Sequence, residues 1–455
     1  MKHKLLQKID NHSAIVAVVG LGYVGLPLAL EFAESGFRVL GMDTNEARVA
    51  TLNHGRSPIR DIDGPKVAHC VETGTFVASL DYSLTADADA VIICVPTPLT
   101  DHREPDLSYI KGAVDGIAPH VKKGVLVSLE STTYPGTTEE LIVRRFISEG
   151  KRLDEDVFVA FSPERVNPGD TLYNTRNTPK VVGGASPAST ELAVALYSSC
   201  IERVIPVSST AVAEMTKLLE NTFRSVNIAF VNEMALLCER LGVSIWEVIE
   251  AASTKPFGFM PFFPGPGIGG HCIPLDPAYL SWKAKEKHFY SRFIELSQEI
   301  NESMPQHVVN KIGEALNWFG KSIRGSCILL VGMAYKPDVD DLRESPSLQV
   351  FSLLRDMGAE LITSDPFVDH FYDRSSGLVE CRRLTPELLR SADCTVILTA
   401  HSNINYSEVV SSSQLVVDTR NAVRATDARV FRLGESVKSS DRREYGRSMK
   451  AAMSK

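Results

Sequence analysis

At 455 residues the chain is long enough for two or three domains, each with its own core. A net charge of −8 argues against nucleic-acid binding driven by phosphate neutralisation. No stretch approaches the roughly 20 apolar residues of a transmembrane helix, and the first twenty residues lack the apolar core and cleavage site of a secretory signal. The eight cysteines, Cys70, Cys94, Cys200, Cys238, Cys272, Cys327, Cys381 and Cys394, contain no Cys-x-x-Cys pair, so neither a metal site nor a disulfide framework is signalled. These features predict a cytoplasmic protein with reduced thiols and with no membrane or nucleic-acid partner.

Ile15-Val16-Ala17-Val18-Val19 is a continuous apolar run, as a strand buried on both faces requires. It enters Gly20-Leu21-Gly22-Tyr23-Val24-Gly25, then a helix over Leu26 to Ser35, then a strand over Arg38 to Met42 with Asp43 at its end. A G-x-G-x-x-G alone is weak, but strand, glycine turn, helix, strand and acid in this order form a dinucleotide fingerprint. The first two glycines permit the tight turn and the approach of a pyrophosphate, and the third lets the helix pack on the sheet. The helix N-terminus favours the negative charge, and Tyr23 and Val24 of the turn share in the expected cofactor contact. Asp43 is placed to accept from a ribose 2′-hydroxyl and to repel a 2′-phosphate, so NAD is expected over NADP. Arg48 is either an adenosine contact or a surface residue of the first helix.

Further strands are predicted over Ala90 to Val95, Val125 to Leu129 and Val157 to Phe161. They run into Thr97-Pro98, Glu130-Ser131-Thr132-Thr133 and Ser162-Pro163-Glu164-Arg165. Ligands of open α/β sheets bind at such carboxyl ends, so Val95, Thr97, Pro98 and Thr133 are expected on the nicotinamide side of the crevice. Glu164 is a candidate for acid–base work or an ordinary loop carboxylate.

A helical pattern from about Ala211 to Leu241 is long enough to cross between domains or to form a dimer seam. Lys217, Asn221 and Arg224 share one face of it, and with the other faces apolar this stripe reads as turned toward a site. Helices follow over Ile245 to Ala252 and Pro277 to Glu286, and a pattern from Phe289 to Glu314 is expected to break near Pro305. Between them lies Gly265-Pro266-Gly267-Ile268-Gly269-Gly270-His271-Cys272-Ile273-Pro274-Leu275-Asp276-Pro277, too rich in glycine and proline for helix or strand. Two readings of Cys272 stand: a thiol activated beside a helix N-terminus, or a buried structural cysteine. Asp276 and Pro277 suit the N-cap and first position of the helix that follows.

From Gly325 the strand–helix alternation restarts, with strands over Cys327 to Val331, Leu361 to Ser364, Thr395 to Thr399 and Leu415 to Val417. This second doubly wound sheet lacks the second and third fingerprint glycines, so no second dinucleotide is expected. Lys336 and Arg420 at its strand ends can bind another phosphate-bearing ligand. Residues 436–455 are polar and expected to be disordered.

Several motifs occur in one order: Gly20-x-Gly22-Tyr23-Val24-Gly25, Thr97-Pro98, Ser162-Pro163-Glu164, Lys217-x-x-x-Asn221, Gly269-Gly270-His271-Cys272 with Asp276, and Lys336 with Arg343-Glu344-Ser345. In this the chain resembles the UDP-glucose/GDP-mannose dehydrogenase family over about residues 14–430. Pro256 to Pro261 and the loop through Pro277 are most similar to members acting on UDP-N-acetyl-D-glucosamine, with UDP-N-acetylmannosamine, UDP-N-acetylgalactosamine or non-catalytic nucleotide-sugar binding as the alternatives. Members acting on UDP-glucose usually carry a lysine where Leu275 stands and a second glutamate where Pro168 stands.

The resemblance implies an α/β fold of two doubly wound Rossmann-like domains joined by a central helical region with a long helix. An NAD-binding domain would span 1–205, a dimerisation region with the Cys272 loop 206–320, and a UDP-sugar domain 321–435. It further implies a homodimer or higher homo-oligomer. The implied reaction is a four-electron oxidation of a sugar C6 alcohol to a carboxylate with NAD, supplying surface polysaccharide such as O-antigen or capsule. By the same resemblance Cys272 is the nucleophile, Lys217 stabilises the oxyanion and thiolate, and Asn221 adds a hydrogen bond. Glu164 is the acid–base for thioester hydrolysis, and Asp276 places a water or proton, a role that stands beside its capping role. The UDP-sugar would be held by Arg165, Lys217, Asn221, Gly267, Gly269, Tyr335, Lys336 and Arg420, with Arg343 near the cofactor.

Overall fold

The computed structural model describes residues 1–59, 62–100, 104–166, 172–270 and 273–436. Pro168, His271, Cys272 and the tail from 437 lie outside the described residues. The chain divides into two units, Met1–Glu220 with Ala278–Tyr290 and Asn221–Pro277 with Ser291–Lys455.

The first unit is built on β1 (Ile15–Val19), β2 (Arg38–Met42), β3 (Phe76–Ser79), β4 (Ala90–Ile93), β5 (Val125–Leu129), β6 (Val157–Phe161), β7 (Lys180–Gly184) and β8 (Val204–Val207). Their order is β3-β2-β1-β4-β5-β6-β7-β8. Neighbours are parallel except β6 and β7, which pair antiparallel through Ala160–Gly184 and Phe161–Gly183. Successive strand residues feed two cores: Val16, Val18, Ala90 and Ile92 one face, Ala17, Val19, Val91 and Ile93 the other. Burial on both faces is why these strands read as unbroken apolar runs. Each large aliphatic side chain so buried contributes about 1.5–3 kcal/mol. An amphipathic helix at Lys2–Asp10, absent from the sequence expectation, adds Leu5 and Ile9 to the first core.

The second unit carries a wholly parallel sheet of β9 (Cys327–Val331) and β10 (Glu360–Ser364), then, beyond the hairpin β11 (His370–Asp373) and β12 (Gly377–Glu380), β13 (Cys394–Ile397), β14 (Val416–Asp418) and β15 (Val430–Arg432). Its order is β10-β9-β13-β14-β15. The same alternation recurs, with Ile328, Leu330 and Val396 in one core and Leu329, Val331 and Ile397 in the other. The Thr210–Leu241 helix carries the chain from the first unit into the second. The Arg292–Trp318 helix runs unbroken through Pro305, so the expected interruption does not occur. Proline removes one backbone bond there, but Asn301, Met304, Pro305 and Val308 are all buried, and packing of that face outweighs the loss. Among the described residues no helix is long and apolar enough to cross a membrane.

Candidate active site

In the first unit each fingerprint glycine has its own steric reason. Gly20 has φ +92°, and a Cβ there would lie 2.5 Å from the Cys94 carbonyl oxygen. A Cβ on Gly25 would overlap the Gly20 carbonyl, so this glycine lets the Gly25–Glu34 helix pack on the turn. A Cβ on Gly22 would meet nothing within 4 Å among the described residues, so none of their contacts requires glycine there. Val24 is the N-cap of that helix and offers no side-chain cap to its first N–H groups, while Tyr23 is half exposed. Asp43 is buried: Oδ2 accepts from Leu21 N at 2.9 Å and from Arg48 Nη1 at 2.8 Å, and Oδ1 accepts from Asn45 N at 2.9 Å. A carboxylate offers about four acceptor positions, so Asp43 ties the turn to β2 and keeps capacity for a hydroxyl.

The strand ends of this unit are cross-tied. The Val95 carbonyl accepts from Ser131 Oγ at 2.7 Å, and the Thr97 and Pro98 carbonyls accept from the Tyr279 hydroxyl at 2.8 and 3.1 Å. Thr133 Oγ1 pairs with Thr137 Oγ1 at 2.6 Å. Glu164 Oε1 accepts from the Arg165 and Val166 amides at 2.7 and 2.5 Å. Arg165 is engaged by Glu220 at 2.7 Å and by the Pro179 carbonyl at 2.7 Å. Lys217 is partly buried one helical turn beyond Glu214. Glu214, fully buried, accepts from Gly136 N at 2.5 Å and from Thr138 N and Oγ1 at 2.9 and 2.7 Å. These bonds fix the helix carrying Lys217 against the loop after β5.

In the second unit Asn221 Nδ2 donates to Asp276 Oδ2, and both side chains are buried. Two of the expected catalytic residues therefore meet directly, and Asp276 also opens the Asp276–Glu286 helix. The glycine loop lies against side chains that leave no space for a Cβ. Gly265 N donates to Asn232 Oδ1 at 3.0 Å, and a Cβ on Gly265 would overlap Arg420 Nη1. Gly267 has φ +133°, and its Cβ would lie 3.2 Å from the Asn301 carbonyl. Gly269 and Gly270 would place Cβ atoms 2.6 and 2.7 Å from Tyr335, and Gly270 N donates to the Arg343 carbonyl at 2.9 Å. The loop thus brings Gly265, Gly269, Tyr335 and Arg420 together. Lys336 Nζ lies 5.7 Å from the Tyr335 ring centre. Burial lowers the Arg420 pKa to about 10 against the opposing pull of Asp418, and Nε donates to the Leu398 carbonyl at 2.8 Å. The Arg343 guanidinium is engaged by Asp341 at 2.6 Å, and its carbonyl accepts from Gly270 of the glycine loop.

Three stretches match one family: residues 14–201 its NAD binding domain, 211–303 its central domain and 329–425 its UDP binding domain. The chain belongs to the UDP-glucose/GDP-mannose dehydrogenase family. It is 36% identical to a UDP-N-acetyl-D-mannosamine dehydrogenase of Methanococcus maripaludis, over 89% of this chain and 92% of that protein. It is 36% identical to an NDP-N-acetyl-D-galactosaminuronic acid dehydrogenase of Ralstonia nicotianae, over 90% and 97%. The solved UDP-D-ManNAc dehydrogenase of Pyrococcus horikoshii superposes with a TM-score of 0.85 at 34% identity, covering 93% of this chain and all of that one.

As a member of this family the chain is a nucleotide-sugar dehydrogenase, and NAD is its cofactor. The glycine turn fits it: the open Gly22, the uncapped helix N-terminus and Asp43 are what a pyrophosphate and a ribose need. Gly22→Ala is accordingly expected to keep the wild-type melting temperature and to raise the KM for NAD. Gly25→Ala is expected to lower the melting temperature as well. Thermal melts and NAD titration of both variants check this, and equal melting losses would refute the division of roles.

The second sheet uses its corresponding acid differently. Asp365, just past β10, accepts from Met333 N and Ala334 N at 2.7 and 3.0 Å, from Phe367 N and Val368 N at 2.8 and 3.1 Å, and from His401 Nε2 at 3.1 Å. Asp338 N donates to His401 Nδ1 at 3.1 Å, which places the imidazole proton on Nε2. Five donors saturate the carboxylate, so it cannot also receive a ribose hydroxyl; it holds the turn that leads into Tyr335 and Lys336. Burial raises the Asp365 pKa, but His401 and the backbone amides outweigh it and hold it below the ordinary value. Sequence reasoning missed this pair, although an acid closing the second strand of a doubly wound unit was a readable signal. It also missed Glu214 and Lys180, whose signal was a charge placed inside an apolar segment.

Proposed function

We propose that the chain oxidises the C6 alcohol of a UDP-N-acetylhexosamine to the uronic acid, with UDP-N-acetylmannosamine as substrate and surface polysaccharide as the destination. The observation that carries the sugar is the match to UDP-N-acetyl-D-mannosamine dehydrogenases at 36% identity over about nine-tenths of the chain. A second reading, UDP-N-acetylglucosamine, rests on the Pro256–Pro261 stretch and the loop through Pro277.

Bound NAD supplies the hydride acceptor, twice for each sugar. The first oxidation leaves an aldehyde. The Cys272 thiolate adds to it, giving a thiohemiacetal whose carbon again carries a hydrogen to lose. The second oxidation gives a thioester, which water hydrolyses with Glu164 as base. Lys217 and Asn221 stabilise the developing oxyanion, and Asp276, through its bond to Asn221, orients that amide. Tyr335, Lys336 and Arg420 hold the UDP moiety, with Arg165, Gly267 and Gly269 completing the substrate contacts. The test is NADH formed per sugar consumed, with UDP-N-acetylmannosamine, its glucosamine and galactosamine counterparts and UDP-glucose in parallel. Two NADH per sugar, fastest with the mannosamine, is expected. One NADH with an aldehyde product would overturn the covalent route.

The enzyme is further inferred to be a homodimer. Phe223, Phe230 and Leu237 recur every seven residues on the Thr210–Leu241 helix and remain 47%, 57% and 44% exposed. An apolar stripe of this kind suits a second copy of the same helix. Phe230→Glu is expected to halve the mass in sedimentation analysis; an unchanged mass would reject this seam.

A further inference from the structure

Lys180 and Glu130 form a buried ion pair that the chemistry above does not use. Lys180 Nζ lies 2.8 Å from Glu130 Oε2, with the two side chains 6% and 0% exposed. Burial of two charges is costly, and hydrophobic replacements often serve stability as well. Among the described residues Glu130 Oε1 has no hydrogen-bond partner within bonding distance, so the carboxylate is less than fully satisfied. Its third member is Glu164, whose Oε2 lies 3.7 Å from Lys180 Nζ.

The sheet topology creates this arrangement. Lys180 is the first residue of β7, and β7 is antiparallel to β6. The start of β7 therefore lies beside the carboxyl end of β6, with Ser162 Oγ donating to the Val181 carbonyl at 2.9 Å. In a wholly parallel sheet, a residue at the start of a strand would lie at the opposite edge from Glu164. Burial would lower the Lys180 pKa, but Glu130 and Glu164 outweigh it and hold the ammonium above its ordinary value. The Cys94 and Cys200 thiols and the Tyr197 phenol, also near this cluster, are pushed up by burial and stay neutral.

We infer that Lys180 is a positioning residue for hydrolysis of the acyl-enzyme: fixed by Glu130, it holds the Glu164 carboxyl group in one orientation. Oε1 is occupied by the Arg165 and Val166 amides, and Oε2, too far from Lys180 for a hydrogen bond, is the oxygen that takes the proton. In that step the water oxygen bonds to the acyl carbon, one water proton passes to Glu164, and the carbon–sulfur bond breaks to release the Cys272 thiolate. The inference rests on the reading of Glu164 as the base.

Lys180→Met alone would strand Glu130, so the test variant is Lys180→Met with Glu130→Gln, run beside Glu164→Gln and the wild type. Each full-length enzyme is turned over with NAD and UDP-N-acetylhexosamine at neutral pH, quenched, and its acylated fraction read by intact mass. The double variant is expected to accumulate several-fold more acyl-enzyme and to lose kcat several-fold with the KM for NAD unchanged. The NADH formed before the first hydrolysis is retained, which a collapsed fold would not allow. A wild-type acylated fraction, or loss of that first NADH, would overturn the role of Lys180. Glu164→Gln separates the two ideas: no accumulation there rejects Glu164 as base, whereas accumulation there but not in the double variant rejects Lys180 alone.

Discussion

Cys272→Ser is expected to make no free uronic acid, a loss of several orders of magnitude in acid formation, while still yielding NADH in a first oxidation. The thiol is central because the second hydride must leave a tetrahedral carbon, and a thiolate makes that carbon from the aldehyde. A serine hydroxyl at neutral pH is far less ionised than a thiol whose free pKa is about 8.5. None of the seven described thiols is activated to take its place. Burial pushes Cys70, Cys94, Cys200, Cys238, Cys327, Cys381 and Cys394 above the ordinary thiol value, so each is held protonated. The readout is the product by mass spectrometry beside the NADH count. Wild-type yield of the acid from the serine variant would eliminate the thioester.

What the sequence disclosed follows from how strongly each feature is encoded locally. β1, β4, β5 and β6 are legible because both faces are buried, which forces unbroken apolar runs. The glycine turn is legible because Gly20 and Gly25 are required by the chain's own sterics. By contrast, β7 ends in two glycines and begins with a charge, so little local marks it as a strand and nothing gives its direction. Its antiparallel pairing is a tertiary fact, and with it the placement of Lys180 beside Glu130 and Glu164. Pro305 fails in the opposite sense: the local rule predicts a break, and burial of the surrounding face overrides it. The meeting of Asn221 with Asp276 was likewise out of reach, because 55 residues separate them and only folding brings them together.

Gly270→Ala is expected to impair UDP-sugar binding severely while leaving NAD affinity intact. Gly270 has φ +89°, where an L-residue is strained by about 1–2 kcal/mol. At 1.4 kcal/mol per tenfold, that strain alone corresponds to roughly a 5–30-fold loss. The new Cβ would also lie 2.7 Å from the Tyr335 ring, so either the ring or the loop must move. Both belong to the proposed substrate contacts, whereas the glycine turn for NAD is in the other unit. Gly258→Ala supplies the control, since Gly258 has φ +70° and a Cβ there meets nothing within 4 Å. It carries backbone strain without the clash. If Gly270→Ala raises the KM for the UDP-sugar far more than Gly258→Ala does, with NAD binding equal in both, the excess is the Tyr335 contact. Equal effects from the two variants would mean that strain, not the packing of the loop on Tyr335, is what the glycine avoids.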